Sequence, residues 1–246
     1  VIAESLRRIL RGIRLTPLHP QWFAYRRQRE RIREIGRLAR GTVLDVGCAD
    51  RVIAGHLGEE CIYIGLDSLQ TGSMLYSARP DVTADAHALP FRGGSIDTVV
   101  LMEVAEHLAD PAAALREAHR VLKPAGTLIV TTPFMYPTHD APFDFHRWTV
   151  HGLMSLAADT GFSVKKAVAY GSPAESGALL FCLGLSFQTL DSLKKRHPLA
   201  PVLLMASIIL IPLGNMAGWL MARLSSVADN PMPIGFMMLL NSPEHA

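Results

Sequence analysis

Four short apolar runs follow one another from Thr42 onward: "TVLDVG", "CIYIGLD", "SIDTVVLM" and "GTLIVTTPF". Each is rich in β-branched residues and apolar on both faces, as a central parallel strand covered by helices must be. Between the last two, "DPAAALREAHRVLKPAG" reads as a helix: Asp110 fits the N-cap, Pro111 the first helical position, and Gly126 follows the end. Leu115, Ala118, Val121 and Leu122 form its buried stripe. Strands alternating with helices of this length make βαβ units, hence an α/β fold with a doubly wound, Rossmann-like and mostly parallel sheet.

In such a sheet ligands sit beyond the carboxyl ends of the strands, where the strand order reverses. The turn after the first run, "GCAD", is therefore the place to look. Gly47 lets the backbone approach a ligand, and Ala49 is nearly as small. Asp50 would repel a pyrophosphate but attract a sulfonium or an amino group, which favours a cationic ligand without phosphate. Asp67 ends the second run, where a carboxylate accepts hydrogen bonds from both hydroxyls of a ribose. Asp85, in "TADAHALPF", lies at the end of an expected third strand, within reach of an exocyclic adenine amine. Three carboxylates at successive strand ends fit a nucleoside with a positively charged tail.

The ordered set "VLDVGCAD", "YIGLD", "TADAHALPF", "IDTVVLMEVAEHL" and "LREAHRVLKPAGTLIVTTPF" resembles the motifs of class I S-adenosylmethionine-dependent methyltransferases, in the type 11 branch that includes the ubiquinone-biosynthesis enzymes. The resemblance covers roughly residues 40 to 170. It implies a seven-stranded sheet with an antiparallel last strand, S-adenosylmethionine as cofactor, and methyl transfer as the activity. By the same resemblance Asp45, Gly47, Cys48 and Ala49 line the methionine end, with Glu103 nearby. Asp67 and Ser68 take the ribose, and Asp85 with Ala86 the adenine.

Transfer to a hydroxyl needs a base to take its proton. Two regions offer one: "EHL", with Glu106 and His107, and "HDAPFDFHRW", with His139, Asp140, Asp144, His146 and Arg147. The second resembles a segment of bacterial methyltransferases linked with surface polysaccharide and lipid pathways. His139 is the first candidate base, with Asp140 or Asp144 orienting it. Arg147 either clamps an acidic acceptor or forms a structural ion pair with Asp144, and His107 either catalyses or shapes the pocket. His139, Asp140, Asp144 and His146 are all metal-ligand types, but no helical HxxxH or HExxH spacing supports a metal, so none is expected. Cys48 reads as a small buried residue rather than a nucleophile.

Outside these motifs the composition is uneven. Residues 1–40 hold eleven Arg, no Lys and three Glu, a net charge of +8 within an overall +2. They form an expected basic helical arm, with Ile2, Leu6, Ile9, Leu10 and Ile13, then Ile32, Ile35 and Leu38 after a "TPLHP" break, at helical spacing. The arm either covers one edge of the domain or meets an anionic membrane surface; aromatic interleaving is too sparse for nucleic acid. The remaining 41–246 form the methyltransferase domain. "GFSVKKAVAYG" reads as the sixth strand and "IGFMMLLNS" as the last. An apolar helical insertion at about 173–231 separates them, with 24 uncharged residues from Leu199 to Ala222. By length this is a transmembrane candidate. The chain must return to the sheet, so a single crossing is impossible, and two would place "KKRH" on the far side, against the positive-inside tendency. The expectation is a subdomain that dips into one leaflet or lids the pocket; a homodimer interface, core helices or a membrane hairpin are the alternatives. Three separated cysteines and no secretory pattern point to a cytoplasmic setting, membrane-associated on the inner face.

Together these features describe a methyltransferase for a hydrophobic, lipid-linked or saccharide small molecule. The rival is a protein of the same fold that binds cofactor or membrane without catalysing. A nicotinamide oxidoreductase is disfavoured by the missing G-x-G-x-x-G and by Asp50.

Overall fold

The computed structural model describes residues 12–68, 79–224, 227 and 229–243. Its elements are α1 (Trp22–Leu38), β1 (Thr42–Val46), β2 (Ile62–Asp67), β3 (Val82–Thr83), β4 (Ile96–Met102), α2 (Pro111–Val121), β5 (Leu122–Pro133), α3 (Val150–Asp159), β6 (Ser163–Tyr170), α4 (Pro173–Lys194), α5 (Ala200–Leu224) and β7 (Gly235–Asn241). The strands form a seven-stranded sheet in the order β3-β2-β1-β4-β5-β7-β6. β1 pairs in parallel with both β2 and β4, and β7 is antiparallel to β5. The strand order reverses between β1 and β4, and the register aligns Val46 with Leu66 on one side and Leu101 on the other. Gly47, Asp67 and the residues after β4 thus emerge side by side from the carboxyl edge.

The chain splits into two compact units. The α/β unit comprises Arg31–Phe134, Thr138–Ala169 and Gly235–Ala246. Its core joins Leu44, Val46, Val99, Leu101, Leu128 and Val130 of the sheet to Leu115, Ala118 and Val121 of α2. Burying such side chains contributes about 1.5–3 kcal/mol each, which selects the strand register that points them inward. α2 starts as expected, with the Asp110 carboxylate accepting from the Ala113 N–H at 2.9 Å and Pro111 in the first turn. Its end departs from expectation. The helix stops at Val121 and Leu122 enters β5 opposite Ile96, so Gly126 lies inside an extended segment instead of capping the helix. Pro124 bars its predecessor from helical geometry, and pairing with β4 takes over the freed residues. β6 carries Lys165 and Lys166 exposed at the sheet margin, where charge discourages edge-to-edge pairing.

The second unit comprises Val1–Glu30, Met135–Pro137 and Tyr170–Ile234. α4 opens with a capping box, in which Ser172 and Glu175 satisfy each other's backbone N–H. Glu175 also receives hydrogen bonds from Arg27 Nε, at 3.0 Å, and from Arg27 Nη2, at 2.6 and 2.5 Å to its two oxygens. The contacts Ala178–Gly218, Cys182–Asn215 and Thr189–Ser207 run in opposite senses along α4 and α5, so the two helices form an antiparallel hairpin. Trp22, Phe23, Leu179, Leu183 and Ile234 form an apolar cluster in this unit. Asn215 ties α5 to the turn before α1 by donating to the Pro17 and His19 carbonyls at 2.7 and 3.0 Å. That turn is the expected "TPLHP" break. Ile2, Leu6, Ile9 and Leu10 lie outside the described residues. Most of the hairpin's outward surface is apolar, with Phe187, Val202, Met205, Ile208, Leu213 and Met221 exposed. This overturns the alternative of buried core helices: 28% and 22% of the apolar windows of α4 and α5 are buried. Within the arm, Arg26, Arg27, Arg31 and Arg37 each lie within ion-pair distance of a carboxylate.

Candidate active site

The turn after β1 is built on three left-handed residues, Gly47 (φ 73), Ala49 (φ 40) and Arg51 (φ 56). Gly47 and Cys48 both donate to the Leu66 carbonyl, at 2.8 and 3.0 Å, which closes the turn onto β2. A Cβ on Gly47 would sit 2.5 Å from Val104 Cγ2, so conformation and space both demand glycine here. Gly47→Ala is expected to destabilise the fold by about 1–3 kcal/mol. An unshifted urea midpoint would show that the turn tolerates a side chain.

Asp67 is 5% exposed and accepts from the N–H groups of Ala49 at 2.9 Å and Ser68 at 2.8 Å. A carboxylate offers about four acceptor positions, so two remain for a vicinal pair of hydroxyls. Asp45 is buried beside it and accepts from the Tyr63 hydroxyl at 2.7 Å; burial pushes its carboxyl up to about 6 against the Tyr63 hydrogen bond. Arg51 stacks its guanidinium 4.8 Å from the Tyr63 ring centre and donates to Asp81 at 2.8 Å. The Cys48 thiol is buried and pushed up to about 12 by that burial and by the charges of Asp45 and Asp67, so it stays protonated. Asp85 lies two residues beyond β3, exposed, with its Oδ1 accepting from the His87 N–H and facing the ring nitrogen at 2.6 Å. Its second oxygen is the one suited to an adenine amine. Ala86 packs on the core beside it. Glu103 (φ 56) accepts from the Thr131 hydroxyl at 2.9 Å and lies 3.4 Å from Arg31 Nη2. These groups fit S-adenosylmethionine: a glycine turn open to the backbone, a ribose acceptor at the β2 end and acidic groups for its cationic tail.

The second cluster follows β4 and β5. A single helical turn, Ala105–His107, leaves Glu106 wholly buried, and its backbone carbonyl accepts from Phe145 and His146 at 2.8 and 3.3 Å. The Glu106 carboxylate has no hydrogen-bond partner among the described residues. Burial, reinforced by the Glu103 charge, raises its pKa well above the usual range. His107 Nδ1 faces the Phe143 carbonyl at 2.9 Å, so that nitrogen carries the proton and Nε2 presents a lone pair. His139 Nδ1 lies 3.2 Å from Asp144 Oδ2 and 3.3 Å from Arg147 Nη2. The two imidazole rings stand edge to face, 4.8 Å apart.

Of the two orienting groups expected for His139, Asp144 is the one beside Nδ1; Asp140 lies 4.0 Å from His107 Nε2 instead. Arg147 grips Asp144 with both terminal nitrogens, at 2.6 and 2.8 Å, the ion pair that was one of its two expected roles. Burial would raise the Asp144 carboxyl, but Arg147 and the His139 N–H hold it at about 2. His146 stacks on Trp148. Sequence reasoning weighed Glu106 only as half of "EHL" and missed Arg31 and Tyr63 altogether. A buried acid after a strand carries no local signal, and Arg31 reads as one charge among eleven.

Part of this chain is similar to known methyltransferases. Residues 44–130 match the sequence family described as Methyltransferase domain. The 2-methyl-6-phytyl-1,4-hydroquinone methyltransferase of Synechocystis sp. is 35% identical over 113 residues, 42% of this chain and 36% of that protein. The ubiquinone biosynthesis O-methyltransferase of Sodalis glossinidius is 34% identical over 103 residues, 37% of this chain and 40% of that protein. The chain thus spans less than half the length of these curated relatives. Among solved structures, the cyclase SpnF superposes with a TM-score of 0.53 at 19% identity, over 88% of this chain and 80% of that one, a likeness of fold alone.

Proposed function

We propose that this protein transfers the methyl group of S-adenosylmethionine to a hydroxyl of a hydrophobic, lipid-linked or saccharide acceptor at a membrane surface. One observation carries the reading: the Gly47–Asp67 cradle and the Glu106–His107–His139 cluster emerge from the same carboxyl edge of one sheet, at and beside the point where its strand order reverses. The cofactor supplies a methyl carbon already activated by a sulfonium. Asp67 and the turn hold the nucleoside; the cluster receives the acceptor's hydroxyl. As the oxygen–carbon bond forms and the carbon–sulfur bond breaks, the hydroxyl proton passes to His139 Nε2, and Asp144 and Arg147 hold that ring in place. Alignment of the two reactants is the larger contribution, worth several kcal/mol. One curated relative is named for a hydroquinone and the other for O-methylation in ubiquinone biosynthesis, which supports a hydroxylated apolar acceptor. The test is methyl transfer from labelled cofactor into the organic phase of a bacterial lipid extract. Formation of S-adenosylhomocysteine without a labelled lipid would limit the acceptor to a polar compound. Cofactor binding without turnover would favour the non-catalytic reading, which draws on Ala49 and Arg51 standing in left-handed conformations that glycine adopts more easily.

Membrane association rests on the hairpin. α4 and α5 expose Phe187, Val202, Met205, Ile208, Leu213 and Met221, an apolar face suited to lie in one leaflet. Lys194, Lys195 and Arg196 lie at or beside its tip, suited to lipid phosphates. The full chain is expected to co-sediment with anionic liposomes. Replacing 175–230 by a short linker is expected to abolish this, and equal sedimentation of both proteins would refute it.

A further inference from the structure

We infer that Glu106, His107 and His139 form a binding site for one divalent transition-metal ion of the zinc class. The three ligand atoms all lie within 4.8 Å of one another. His107 Nε2 and His139 Nε2 are 3.9 and 4.0 Å from Glu106 Oε1. Around a tetrahedral zinc, ligand atoms stand roughly 3.4 Å apart, so closing the site takes side-chain shifts of about half an ångström.

The chemistry of the three atoms argues for a cation between them. The Phe143 carbonyl can only accept, which leaves His107 Nε2 without a proton in the neutral ring. His139 Nδ1 lies between the Asp144 carboxylate at 3.2 Å and the Arg147 guanidinium at 3.3 Å, and with the carboxylate as its partner the ring turns the lone pair of Nε2 to Glu106. Two imidazole Nε2 atoms thus face one carboxyl oxygen, at 3.9 and 4.0 Å. Glu106 adds an independent observation: it is 0% exposed, and neither of its oxygens has a hydrogen-bond partner among the described residues. A buried, unpartnered carboxylate costs several kcal/mol unless it is protonated or meets a cation. The second-sphere arrangement fits as well, because metal-binding histidines usually donate their other N–H to a carbonyl or a carboxylate. Two imidazoles and one carboxylate suit zinc, cobalt, iron or manganese and leave coordination positions open.

Sequence spacing pointed away from a metal because the donors come from two loops, more than thirty residues apart, rather than from one helix. The site deepens the methyl-transfer reading and rests on it only for its role. An acceptor hydroxyl taking an open position would be acidified by the ion and lose its proton to water, with the ion in place of His139 as activator.

The test uses the full chain stripped with chelator and titrated with zinc chloride by calorimetry, and with cobalt chloride by visible absorption. One equivalent is expected to bind with micromolar or tighter affinity, giving a cobalt spectrum of low coordination number. Glu106→Gln and His107→Ala are each expected to weaken binding at least a hundredfold, whereas His151→Ala, on the exposed face of α3, leaves it unchanged. Glu106→Gln removes a buried charge, so it is expected to melt no lower than the stripped wild type, which separates lost ligation from lost fold. No saturable binding at 100-fold excess metal, or binding untouched by both variants, would overturn the site. S-adenosylmethionine affinity of the stripped protein is measured alongside. If that persists while metal binding fails, the methyl-transfer reading stands and the metal site falls.

Discussion

Asp67→Ala is expected to weaken S-adenosylmethionine binding at least tenfold. Its carboxylate is buried at the end of β2 and keeps two acceptor positions after serving Ala49 and Ser68. Charge-assisted hydrogen bonds to a ribose contribute roughly 1.5–3 kcal/mol each, and a tenfold loss is about 1.4 kcal/mol, so losing even one suffices. The substitution also frees the Ala49 N–H and loosens the left-handed turn, which adds to the loss. Calorimetric titration measures it, with circular dichroism confirming the fold. Unchanged affinity would take Asp67 out of the cofactor site and with it the assignment of the whole carboxyl edge.

A pH effect of similar weight is expected at Asp45. Burial raises its folded-state pKa from 3.8 to about 6, against the opposing hydrogen bond from Tyr63. The folded protein thus holds this proton more tightly than the unfolded chain. The associated stability is fully present below pH ~4 and is lost as pH rises through ~6. A shift of that size corresponds to about 3 kcal/mol. Asp45→Asn keeps an oxygen to accept from Tyr63 but cannot ionise. It is expected to be more stable than the wild type at pH 7.5 by up to about 3 kcal/mol, with the advantage disappearing at pH 4. Urea unfolding at the two pH values measures the difference. A gap that stays constant between them would mean that Asp45 does not titrate in that window.

Much of the α/β unit was legible because its signals are local. Continuous β-branched runs, the Asp110-Pro111 helix start and the strand-end positions of Asp45, Asp67 and Asp85 can all be read within a few residues of each other. The end of α2 was not. Leu122 lies in β5 because Ile96 offers it a partner in the sheet, and that partner is 26 residues away. The role of Arg147 was open for the same reason: Asp144 three residues earlier is an obvious partner, but only the folded loop aims both guanidinium nitrogens at it.

By itself the sequence determined the order of strands and helices and the presence of an apolar stretch long enough to meet a bilayer. Periodicity and turn chemistry carry that information, and neither depends on distant contacts. Tertiary structure alone decided which groups meet beyond β4 and β5. Glu106, His107 and His139 come together because β4 and β5 are neighbours in the sheet and deliver their following loops to one edge. Arg31 reaches Glu103 from a helix that reads, in sequence, as a solvated basic arm. Burial turns these ordinary charged residues into a site by removing the water that would otherwise satisfy them.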